Sequence, residues 1–265
     1  MDLVVRILLV LGGIGVLALA AIFAFQREWA AALWFWGDSP LSFYFIAAMQ
    51  AAIAAAMLWI GLSGELAALA PGALNLFVMM AGLAVSLYFI DLGDYAIACA
   101  LFTLFNLFLF LWARRIPLRD EQPLPNPVRY SYWLFVVILA GVGLALLLGV
   151  EGVLPWNFGE ENANTPILFG WMFFGDAFYF LYALLYPRWH NAVAQMLSFL
   201  AYDLVLLGPF LIRWPWIRDL VGGPRLPDDR LDNLVVYTLI LLYSGALGVY
   251  YLLINPKTRL LERRT

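Results

Sequence analysis

Apolar residues in this chain come in long blocks, not in the short alternation of a half-buried strand or the striped pattern of a surface helix. A run of ~20 apolar residues crosses the ~30 Å hydrocarbon core of a bilayer. Eight such runs are present: Leu3–Phe25, Leu41–Leu62, Gly72–Ile90, Tyr95–Ala113, Ser131–Val150, Pro166–Tyr186, Asn191–Ile212 and Asn233–Ile254. The pattern predicts an all-α polytopic membrane protein with eight transmembrane helices. Short punctuated stretches separate the runs, among them Leu69-Ala70-Pro71-Gly72 and Ile90-Asp91-Leu92-Gly93-Asp94, and these read as loops. The longest connection, residues 114–130, reads "RRIPLRDEQPLPNPVRY" and carries four prolines. Proline removes the backbone donor a helix needs, so an extended cytoplasmic linker with no helix across it is expected there. It separates residues 1–113, with four spans, from 131–265, with four more and a C-terminal tail.

The two halves share a pattern. "LWFWGDSPLSF" (Leu33–Phe43) recurs as "LPWNFGEENANTPILF" (Leu154–Phe169), with Trp, any residue, an aromatic, Gly, an acid, then Ser or Thr before Pro. Each copy opens the second span of its half, which predicts two parallel four-helix repeats related about the membrane normal. Trp34, Trp36, Trp156 and Phe158 carry rings suited to the headgroup belt. Gly37 and Gly159 permit a turn, and Asp38 and Glu160 place carboxylates beside helix N-termini. Ser39-Pro40 and Thr165-Pro166 set a capping hydroxyl before proline at the first helical position. Glycine spacing in "LGGIGVLALA" and "AGVGLALLLG" predicts close helix contacts at the start of each half.

Composition sharpens the class. The chain is 65% hydrophobic and 12% charged, against ~45–50% and ~25% in soluble domains. Ten basic residues fall on one side of the predicted spans and five on the other, accounting for all 15 Lys and Arg. The positive-inside bias then puts both termini and the linker in the cytoplasm of a plasma (inner) membrane. Ala18-Leu19-Ala20 imitates a signal-peptidase site, but the first run is read as a retained span. A balanced Arg and Asp outer loop, "RWPWIRDLVGGPRLPDDRLD", is expected to fold as a small unit. Net charge of −3 excludes a nucleic-acid surface. One cysteine and one histidine exclude a disulfide framework, a thiolate metal cluster and bis-histidine haem within one chain. No metal ligand set and no cofactor are indicated. His190 reads as an interfacial anchor, and the basic tail "KTRLLERRT" as an orientation signal that can also meet lipid headgroups.

A few polar side chains sit where hydrocarbon is expected on all sides. Aligning Pro40 with Pro166 brings Gln50 onto Asp176, both ten residues into their spans, which is ~15 Å at ~1.5 Å per residue. Asp203, Asn106 and the neighbouring Tyr202 fall at similar depth. An intramembrane acid costs several kcal/mol unless paired or neutral, and so marks a candidate site. Facing acids would repel, which favours at least one neutral carboxyl hydrogen-bonded to the other, to Gln50, to Asn106 or to Tyr202. The expectation is that Asp176 and Asp203 face one another near Gln50. Flanking residues such as Phe173, Phe180, Phe199 and Leu206 are apolar, so no hydrated stripe is present.

Three functional expectations follow. The first is a non-enzymatic membrane subunit or scaffold, packing on partner spans or a second copy, or holding lipid or quinone. The alternative is a small proton- or cation-coupled transporter using Asp176 and Asp203. A third comes from Gly175-Asp176 and Tyr202-Asp203, which resemble the Gly-x-Gly-Asp and Tyr-Asp motifs of intramembrane aspartyl proteases. The resemblance implies a pair of carboxylates activating water. It covers two dipeptides, in reversed order, with Phe173 where the motif has Gly and no Pro-Ala-Leu stretch.

Overall fold

A computed structural model describes residues 2–33, 39–119, 121–156, 158, 164–226 and 230–260. Ten α-helices occupy the described residues: α1 (Asp2–Phe25), α2 (Arg27–Leu33), α3 (Pro40–Ser63), α4 (Leu69–Phe89), α5 (Gly93–Ala113), α6 (Asn126–Leu147), α7 (Thr165–Leu185), α8 (Trp189–Leu211), α9 (Pro215–Val221) and α10 (Leu231–Val249). A 3₁₀ turn, Leu66–Ala68, leads into α4, and a π turn, Tyr250–Ile254, extends α10. Eight of these helices are long and apolar enough to cross a membrane. The all-α, eight-span expectation therefore holds at that level.

Two helix starts differ from the sequence reading by three residues or more, and proline accounts for both. Pro71 lies inside the first turn of α4, which begins at Leu69. Pro127 lies in the first turn of α6, which begins at Asn126, inside the stretch expected to be extended. The first four amides of a helix have no intrahelical partner, so a residue without an N–H is at no disadvantage there. What remains of the linker is pinned. Leu124 N donates to the Pro187 carbonyl (3.0 Å) and Trp189 N to that of Gln122 (2.8 Å), forming an antiparallel bridge between Pro123 and Arg188. The outer loop expected to be folded contains α9, closed at its C-terminal end by Gly222 in the left-handed conformation (φ 67°).

The chain divides into two compact units that do not follow the sequence halves. One comprises 1–62, 152–163 and 196–265; the other comprises 63–151 and 164–195. In the first, α1 lies against α3, and Arg6 closes the C-terminus of α3. Its Nε donates to the Gly61 carbonyl (2.9 Å) and its Nη2 to that of Leu62 (2.8 Å). A cation here meets both the orphan carbonyls and the negative end of the helix dipole. Ser39 Oγ accepts from Ser42 N at 3.4 Å ahead of Pro40, as the capping motif requires. Thr165 differs: it is itself the first residue of α7, with Asn164 at the cap position, and its Oγ1 has no protein partner.

In the second unit α4 packs against α5 and α7, and α6 against α7. The α6–α7 crossing is as close as the glycine spacing implied. A side chain on Gly143 would put its first carbon 2.8 Å from Phe174 N and 2.9 Å from the Gly170 carbonyl oxygen. Both are backbone atoms and cannot rotate away. Gly141, two residues earlier, has nothing within 4 Å. Gly143→Leu is therefore expected to lower stability by about 1–3 kcal/mol or more, read as a reduced thermal midpoint in detergent, while Gly141→Leu leaves it unchanged. Equal effects from both would rule out the close crossing.

Candidate functional site

Hydrocarbon cannot hydrogen-bond, so each polar side chain within a span must be matched by the chain itself. In the second unit the match for Asp176 on α7 comes from α4. Asn75 Nδ2 donates to Asp176 Oδ1 at 2.6 Å. Gly175 makes that approach possible, since a Cβ there would lie 2.5 Å from Asn75 Oδ1 and 3.0 Å from the Asn75 carbonyl. This packing need accounts for the glycine that supplies half of the protease resemblance. Two turns along, Trp171 Nε1 donates to Ser86 Oγ (2.9 Å) and its ring lies over Gly82, fastening the same pair of helices.

In the first unit Asp203 on α8 is matched from α10. Ser244 Oγ donates to Asp203 Oδ2 at 2.8 Å, and Asp203 is only 3% exposed. The same hydroxyl lies 2.9 Å from the Ile240 carbonyl and 3.3 Å from that of Leu241. A serine hydroxyl has one proton, so three acceptors compete for it. The other Asp203 oxygen, Oδ1, is buried with no protein partner.

The remaining expected site residues are placed differently. Asn106 is buried and donates back to the Phe102 carbonyl of its own helix (2.8 Å). Tyr202 sits among rings, stacked on Phe199 (6.0 Å between centroids) and edge-on to Phe45 (5.8 Å). Gln50 is half-buried on α3, and its buried Oε1 has no protein partner. Asp176 thus belongs to one unit and Asp203, Gln50 and Tyr202 to the other. Each acid takes its hydrogen bond within its own unit, from Asn75 and Ser244, neither of which the sequence reading singled out.

Of the repeated motif, Trp34, Trp36, Gly37, Asp38, Gly159 and Glu160 lie outside the described residues. Trp156 is a correction to the headgroup-belt expectation. It is 4% exposed, with Phe45 at 5.8 Å, Phe158 and Phe210 at 6.5 Å, so it packs in protein and is not presented to lipid. Aromatic pairs at such separations are favourable beyond the area they bury.

A polar node that the sequence reading missed lies at the α4 start of the second unit. Glu65, 1% exposed, accepts at Oε2 from the Arg119 backbone N–H (3.1 Å) and lies 2.7 Å from His190 Nδ1. Arg119 Nη1 also donates to the Ser63 carbonyl at 2.6 Å. His190 is thus half-buried beside an acid and does more than anchor an interface. Its one legible signal is that Glu65 lies in the tight turn after α3 and His190 in the first turn of α8, beside the short connection from α7.

By length and composition, the eight long apolar helices are those of a multi-pass helical membrane protein, several of them joined to a neighbour by a polar side chain. Comparison with protein-family models, with curated proteins and with solved structures finds no match.

Two outcomes are expected. Glu65→Leu strands the Arg119 amide and His190, and should cost about 1–3 kcal/mol in detergent unfolding; Glu65→Gln should recover part of it. In a double-mutant cycle, Asp176→Leu and Asn75→Leu should couple by about 0.6–2 kcal/mol. Additive effects would mean that the hydrogen bond contributes nothing.

Proposed function

We propose that the chain is a non-enzymatic integral membrane subunit or scaffold, whose outer helix faces pack on partner spans or a second copy, or hold a hydrophobic ligand such as lipid or quinone. The observation that carries this reading is the use made of the two intramembrane acids. Each is joined to a neutral residue on a neighbouring helix of its own unit, Asp176 to Asn75 and Asp203 to Ser244, as interhelical fastening would have it. The faces left over support it as well. On α5 the large side chains Ile97, Leu101, Leu104, Phe105 and Phe108 are all exposed. The basic residues favour a plasma (inner) membrane with both termini cytoplasmic, and the shared Trp-x-aromatic-Gly-acid pattern favours descent of the halves from one repeat.

A transporter is the second reading. It is favoured by Asp203, whose single hydrogen-bonded oxygen and unpartnered Oδ1 are what a proton- or cation-exchanging carboxyl would show. The readings separate cleanly. Asp176→Asn and Asp203→Asn keep shape and hydrogen bonding, so a scaffold should keep its thermal midpoint and whatever co-purifies with it in native lipid particles. A bare monomer carrying neither protein nor hydrophobic ligand would sink the scaffold reading. Loss of proton flux in proteoliposomes on either substitution, with folding intact, would establish the transporter instead.

A further inference from the structure

The second unit has a cleft of about 390 Å³ where α5 and α7 end and α8 begins. Arg114 and Arg188 line it together with Asn191, Tyr186, Ile116 and Leu185. These residues stand at the ends of apolar spans, the level at which lipid headgroups meet water. Both guanidiniums are exposed and loosely held. Arg114 lies over the Phe110 ring, 5.5 Å from its centroid. Arg188 donates to the Glu121 carbonyl (3.0 Å), with the Glu121 carboxylate a further 3.9 Å from Nη2, and both side chains remain about half or more exposed (47% and 75%). An exposed pair at that separation contributes little and exchanges readily for a stronger partner. Leu185, the last residue of α7, is 63% exposed at the edge of the cleft.

We propose that this cleft binds an anionic phospholipid, its phosphodiester held by Arg114 and Arg188 and its acyl chain laid along Ile116 and Leu185. Guanidinium forks match phosphate oxygens in geometry and charge, and the apolar side chains beside them offer a surface to a tail. A zwitterionic lipid brings an extra cation to a cleft that already has two. Inorganic phosphate shares the headgroup chemistry but makes no use of that surface. The site rests only on the chain being membrane-embedded, and stands or falls independently of the scaffold and transporter readings.

The test is thermal unfolding of the full chain in a neutral maltoside, titrated with phosphatidylglycerol, phosphatidylcholine or inorganic phosphate. Phosphatidylglycerol should raise the midpoint, and the other two should not. The Arg114→Gln/Arg188→Gln variant should need about tenfold more phosphatidylglycerol, or more, for the same rise, with an unchanged lipid-free midpoint. The Lys pair should retain part of the response, and Arg218→Gln, outside the cleft, all of it. If loss of the Arg188 bond to Glu121 lowers the lipid-free midpoint, Arg114→Gln alone gives the same reading. A wild-type response from the Gln variants, an equal response to phosphatidylcholine, or reproduction of the effect by inorganic phosphate would each overturn the proposal.

Discussion

Inside a hydrocarbon layer there is no water to complete a hydrogen bond, and a polar atom left alone there costs several kcal/mol. That single constraint organises what is seen across the described helices. Asn75 turns to Asp176, Ser244 to Asp203, and Trp171 to Ser86, each joining two neighbouring helices. Asn106 and Thr103 have no such neighbour and bond back to their own helix, at the Phe102 and Cys99 carbonyls. At the span ends, Arg6 supplies the donors that the last carbonyls of α3 lack. Polar residues in these spans therefore specify which helix sits beside which, while the apolar majority, as compatible with lipid as with protein, specifies little.

Close approach is the second requirement, because dispersion must replace the hydrophobic drive that a bilayer does not provide between helices. Gly143 and Gly170 let α6 and α7 meet backbone to backbone. Gly175 lets the Asn75 amide reach its carboxylate. Hydrogen bond and packing are thus one feature at that point: either without the other would leave a buried polar group or a clash.

The class of the fold was legible from block length alone, since only a membrane span needs ~20 consecutive apolar residues. Partner choice was less so. Counting the third span from Gly72 leaves Asn75 near its surface, where a polar residue is ordinary. Counted from Leu66, where the span begins, Asn75 is nine residues in, and Asp176 is nine residues before Leu185 at the end of its own antiparallel span. A misplaced proline boundary therefore hid the partner of the most conspicuous acid. Glu65 was hidden for another reason: a charged residue in a short turn reads as solvated, and its burial depends on Arg119 and His190, 54 and 125 residues away in sequence. Trp156 shows the reverse error, a ring given to the interface on residue type when the rings around it supply a core.

The bridge between Pro123 and Arg188 has a bearing on how the protein is made. The stretch after α5 leaves the ribosome well before its partners, because Pro187 and Trp189 follow only after α6 and α7 have been synthesised. Until the turn between α7 and α8 emerges, Gln122 and Leu124 lack their backbone partners and Glu65 lacks His190, although Arg119 can already meet Glu65 and Ser63. Closure of the second unit is accordingly a late event in translation, timed by the arrival of one three-residue turn.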